Sequence, residues 1–187
     1  SAMNTATDLV SVTYFPRNPD FTVVPPQEVK PQIEALLSLY PDRAFTFQSL
    51  GYPSSPALFS STAKQSQFLH AFFEVWDLNP DRITYAGFTR LFDWPTDRAE
   101  AEALRPIHGA TAENLSKATA YFQTLGLRTF AGSGEAKSGY HSLRNLAFER
   151  YWWRVAPLTS RSFLLGMTPH PYDHNPGEPL MASVMQT

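Results

Sequence analysis

Apolar residues in this chain switch between two spacings, and that switch limits the fold more than any other feature. From Arg43 to Ser55 the sequence reads RAFTFQSLGYPSS, an alternating run that stops at a glycine and a proline. Successive side chains of a strand point to opposite faces, so Ala44, Thr46 and Gln48 are expected on one face and Phe45, Phe47 and Ser49 on the other. Asp8 to Phe15 (DLVSVTYF) and Ile83 to Phe92 (ITYAGFTRLF) also read as strands, the first with Val10, Val12 and Tyr14 on one face. Between these runs the spacing becomes helical. Val29, Ile33, Leu36, Leu37 and Tyr40 follow Pro26, which suits a first helical turn, and the pattern stops near Pro41. Thr62 and Gln65 fit a capping box, and Phe68, Leu69, Phe72, Phe73 and Trp76 behind them form an aromatic stripe that reads as core packing. Strands alternating with helices make a parallel α/β fold.

The later chain is less regular. Residues 95–110 read as a long loop with a helical piece around Arg98 to Leu104. Thr111 is a candidate cap for a helix through Leu115, Ala118, Phe122 and Leu125, which Gly126 would end in the left-handed conformation. The segment GLRTFAGSGEAK lacks the GxxxxGK[ST] spacing of a phosphate loop and reads as a connection. From Tyr140, the positions Leu143, Leu146, Ala147, Arg150 and Tyr151 make a final helix. In the tail, Ser162 to Thr168 (SFLLGMT) is strand-like and leads into PHPYDHNPGEP.

Composition removes several classes of function. The 187 residues suit one domain and fall short of the ~250 of a full eight-stranded α/β barrel. With 15 basic and 17 acidic residues and no basic stripe, the electrostatic footprint of a nucleic-acid binder is absent. The absence of cysteine removes disulfides and thiol chemistry, and no apolar run reaches the ~20 residues of a membrane span. The N-terminus, SAMNTATD, has no basic-then-apolar leader pattern. The sequence HPYDH lacks the HExxH helical spacing, and with prolines at 169 and 171 no metal site is expected there. No cofactor is indicated.

Polar groups gather where strands run into loops. Gln48 and Ser49 end the second strand, Tyr52 follows in the Gly-Tyr-Pro turn, and Asp93 and Trp94 follow the third. Polar groups there suit a ligand site; the alternative is that they only close buried strands. His170, Tyr172, Asp173 and His174 in the tail are side chains of the kind that ligate a metal or bind a sugar.

The succession DLVSVTYFP, TFQSLGYPSS, AKQSQF, ITYAGFTRLFDW and YFQTLGLRTFAGSGEAKSGYHSL resembles the last three βα units of a glycoside hydrolase (β/α)8 barrel, in the clan that includes β-1,3-glucanases and endo-β-1,4-galactanases. The resemblance implies three barrel units over residues 8–153, with 1–7 disordered or tag-derived. The segment 154–187 looks like a first barrel strand and its loop, giving a partial or circularly permuted barrel of about four parallel strands, with Phe163 to Gly166 beside Thr84 to Phe88. It further implies that Ser49 occupies the catalytic nucleophile position and that the acid/base carboxylate is not in the chain. A retaining glycosidase needs two carboxylates ~5 to 5.5 Å apart, and a serine with no base cannot stabilise the oxocarbenium-like transition state. Natural loss of hydrolysis and replacement of a glutamate by design both fit. In the resembled fold Tyr14 would orient residue 49, while Gln48, Tyr52, Asp93, Trp94, His170 and Tyr172 would contact an oligo- or polysaccharide. Two readings follow. One is an enzyme-derived barrel acting on or binding β-linked polysaccharide; the other is a non-catalytic module, its barrel completed by a second chain or copy. Secretion or export to a periplasm is implied by the resemblance alone.

Overall fold

The computed structural model describes residues 8–104, 111–130 and 134–150. Over these residues the protein is α/β. Strands β1 (Leu9–Tyr14), β2 (Ala44–Leu50) and β3 (Ile83–Phe88) form a parallel sheet in the order β1-β2-β3. Helices α1 (Val29–Ser38) and α2 (Thr62–Leu78) make the crossovers. After β3 come α3 (Thr96–Leu104), α4 (Ala112–Gln123) and α5 (Ser138–Glu149). Among the described residues there are three strands; the fourth expected strand falls on 154–187, outside them.

One face of the sheet is packed. Val10, Phe45, Phe47, Leu50, Ile83, Ala86 and Phe88 are buried, and they meet Ile33 and Leu37 of α1 and Phe68, Phe72 and Phe73 of α2 in one core. The α2 stripe is core, as its spacing implies: the Phe72 ring lies edge-on to Phe47, centroids 5.2 Å apart, and Phe73 stacks on Phe88 at 5.6 Å. Burying such aromatic rings against a sheet is the main stabilising contribution here. The other face keeps Leu9, Ser11 and Thr13 exposed and Thr46, Ser49 and Tyr85 half-buried. At the strands' starting end, Arg82 donates to the carbonyls of Leu37, Tyr40 and Arg43, closing the last turn of α1 and tying the start of β2 to β3.

Four local expectations are corrected. Ser49 does not share a face with Phe45 and Phe47. Val12 pairs with Phe47 but Thr13 pairs with Ser49, so Gln48 is an extra, bulged residue, and the bulge turns Ser49 to the open face with Thr13. The third strand ends at Phe88 rather than Phe92, because the chain there leaves the sheet to pair with the segment after α4: Phe92 bridges Arg128, and the Asp93 amide donates to the Arg128 carbonyl at 2.9 Å. The cap of α2 is Ser61, whose Oγ accepts from the Lys64 amide at 3.1 Å, and Gln65 is buried instead of closing a capping box. Gly126 is not left-handed; among described glycines only Gly134 has positive φ. Gly126 serves close approach, since a Cβ there would lie 2.1 Å from the Asp93 nitrogen and 2.3 Å from the Phe92 carbonyl carbon. Thr111 caps α4 as its sequence implies, its side chain accepting from the Asn114 amide at 3.2 Å. No helix among the described residues is long and apolar enough to cross a membrane.

Candidate functional site

Ser49 near the end of β2, and Thr89, Asp93 and Trp94 in the chain after β3, all lie at or beyond the C-terminal ends of the strands. Ser49 Oγ is hydrogen-bonded to the Thr89 hydroxyl just beyond β3. This pairing rests on a close crossing of the two strand-end loops. The Thr89 amide donates to the Leu50 carbonyl at 2.7 Å, and a Cβ on Gly51 would come within 2.5 Å of the Thr89 carbonyl oxygen. Glycine at position 51 is therefore what lets the β2 loop pass beneath Thr89. Gln48, displaced by the bulge, is exposed beside this pair.

Asp93 lies deeper. Its Oδ1 is 2.6 Å from Lys137 Nζ, with the Asp93 side chain 13% and the Lys137 side chain 6% exposed. Lys137 also donates to Ser54 Oγ at 3.0 Å. Burial raises the Asp93 carboxyl above the usual carboxylate range and lowers the Lys137 ammonium below the usual lysine value; in each case the opposite charge offsets burial only in part. One ion pair thus joins the β3 loop, the β2 loop at Ser54 and the residue preceding α5. Gln65 of α2 reinforces the junction from below, its Nε2 donating to the carbonyls of Tyr52, Leu125 and Gly126 at 2.8, 3.3 and 3.0 Å. Its Oε1 is buried without a protein partner.

Trp94 is half-buried, and the guanidinium carbons of Arg90 and Arg98 lie 2.9 and 3.9 Å from its ring centroid. Stacking of a sugar on this ring would displace one arginine.

The two remaining described candidates sit in the core layer. Tyr14 donates to Gln32 Oε1 at 2.9 Å, and its ring is 6.3 Å from Phe47 and 6.4 Å from Phe68. It is on the helix-packed face, opposite to Ser49, and burial pushes its phenol upward. Tyr52 is 1% exposed, stacks on Phe68 at 5.2 Å and donates to the Val24 carbonyl at 2.8 Å. His170 and Tyr172 lie outside the described residues.

Thr89, Lys137, Gln65 and Arg90 were not legible as site residues. Lys137 sits at the end of a segment that reads as a connection, and indeed Arg128 and Ala136 bridge there antiparallel. Only a lone lysine between small residues marks it in sequence. A groove of about 470 Å³ opens elsewhere, on the outer side of the helix layer between α2 and α5, lined by His70, Glu74, Asp77 and Arg150 among others. Among the described residues no three His, Cys, Asp or Glu side chains gather as a metal would require.

Chemically, the strand ends offer two neutral hydroxyls, an exposed amide, an aromatic ring under cations and a carboxylate already neutralised by a lysine. Such a set donates and accepts hydrogen bonds; it supplies no free nucleophilic carboxylate. No family model, curated protein or solved structure matches this chain.

Proposed function

We propose that the chain binds β-linked oligo- or polysaccharide at the C-terminal ends of its parallel strands, as part of a carbohydrate-active α/β barrel, and does not hydrolyse it. The observation that carries this reading is Ser49. The bulge in β2 turns it to the open face, at the position the barrel resemblance gives to the catalytic carboxylate, and its hydroxyl is bonded to Thr89 rather than to any base. Gln48 and the Ser49–Thr89 pair supply hydrogen bonds to sugar hydroxyls, and Trp94 supplies an apolar ring face once one of its two arginines is displaced. Asp93 does not take over as nucleophile, because Lys137 already holds its charge at 2.6 Å.

Titration of tryptophan fluorescence with β-1,3- and β-1,4-linked oligosaccharides tests this. A saturable change that disappears in Trp94→Ala is expected. Identical, non-saturating traces for the natural chain and the variant would contradict the proposal.

A further inference from the structure

Resting on the saccharide reading above, we infer that the ligand taken at the strand ends is acidic, a β-linked oligosaccharide carrying uronate carboxylates, and that Arg90 and Arg98 select it.

Two cations crowd one ring. The guanidinium carbons of Arg90 and Arg98 lie 2.9 and 3.9 Å from the Trp94 ring centroid, so the two charges stand no farther apart than the sum of those distances. All three residues are half-buried, where water screens like charges less than on an open surface. An anion between them relieves that repulsion. The surrounding backbone holds the cluster in place: the Trp94 amide donates to the Gln123 carbonyl at 3.1 Å, and Arg90 Nη1 donates to the Phe122 carbonyl at 3.4 Å. Arg98 stands in the first turn of α3, whose positive end adds to the same field.

A sugar can stack on Trp94 only when one guanidinium moves off the ring, and that cation–π contact is then lost. A neutral sugar gives the displaced arginine only hydroxyl groups in return. A uronate carries a carboxylate on the ring that stacks, and a guanidinium takes a carboxylate through two parallel N–H···O bonds. The ring then goes to Trp94 and its charge to the arginine it displaces.

The neighbouring carboxylates oppose an anion only weakly. Asp93, one residue before Trp94, has its charge held by Lys137 at 2.6 Å. Asp97 and Glu100 of α3 are exposed, where solvent and salt shorten their reach. Glu102, four residues after Arg98 on the same helix, is placed to compete for that guanidinium, but a pair of this kind on a helix is weak beside a bidentate carboxylate.

Two ligands of one backbone test the inference: a β-1,4-linked glucose hexamer, and the same hexamer with every C6 oxidised to a carboxylate. Each is titrated calorimetrically into the unsubstituted chain, Arg90→Gln and Arg98→Gln. The uronate hexamer is expected to bind the unsubstituted chain about tenfold more tightly, the gain of a charge-assisted pair over a neutral hydrogen bond. That preference should shrink as salt rises from about 0.01 M to about 1 M, over which the screening length falls from about 30 Å to about 3 Å. Either glutamine variant should lose most of the preference while keeping or improving its affinity for the neutral hexamer, since one cation fewer covers Trp94. Equal affinity for the two hexamers, or a preference indifferent to salt, would overturn the inference and leave saccharide binding standing. A hexaglutamate peptide bound as tightly as the uronate hexamer would also overturn it, by reducing the effect to attraction between charges. No heat from either hexamer would remove the saccharide reading itself, and this inference with it.

Discussion

At the scale of single residues, the strand-end loops are locked by one buried ion pair. Removing one partner leaves the other charge buried and uncompensated, which typically costs about 3–5 kcal/mol. Asp93→Ala is therefore expected to lower stability by about that amount in urea unfolding. Asp93→Leu combined with Lys137→Met should restore most of it, because apolar replacement of a whole buried pair is often neutral.

The shifts also fix a pH dependence. Burial raises the Asp93 carboxyl above 3.8, so between that value and its folded-state value the folded chain binds more protons than the unfolded one. Stability contributed by this group is greatest below 3.8 and falls as pH rises through that window. For Lys137 the ammonium is lowered from 10.5, so the unfolded chain holds more protons in the alkaline window and stability there rises with pH. Unfolding free energies of the natural chain, taken relative to the double variant, should show both slopes.

At the scale of elements, close approach rather than conformation explains the glycines that matter. Gly126→Ala places a Cβ against the backbone of Asp93 and Phe92, where no side chain can yield. Overpacking of this kind costs about 1–3 kcal/mol or more, read as a drop in the urea midpoint without a change in slope. The same residue shows what sequence reveals and what it conceals. The three strands, the helices between them and the core role of the α2 aromatics follow from spacing, because the period of burial is written in the order of residues. The bulge at Gln48 is not, since it depends on which residues of β1 stand opposite, and it alone decides the face of Ser49. The purpose of Gly126 is concealed for a similar reason: its neighbour Asp93 is distant in sequence. Lys137, the one lysine of a small-residue segment, acquires meaning only when the fold brings Asp93 and Ser54 to it.

For the whole molecule, the sheet is lopsided. One face carries the helices and the core, while the other leaves Leu9, with 42% of its surface exposed, beside exposed Ser11 and Thr13. Parallel sheets are ordinarily covered on both faces. On the function proposed above, Gln48, Ser49, Thr89 and Trp94 would contact the sugar chain, and with no free carboxylate at the strand ends the ligand would stay unchanged. The most direct measurement is calorimetric titration of the full chain with β-1,3- and β-1,4-linked oligosaccharides at millimolar concentration, with the saccharide recovered afterwards and its reducing ends counted. A saturable heat, with a dissociation constant on the order of 1 mM or tighter, and saccharide recovered intact are the predicted result. No heat of binding, or saccharide recovered with new reducing ends, would contradict the account.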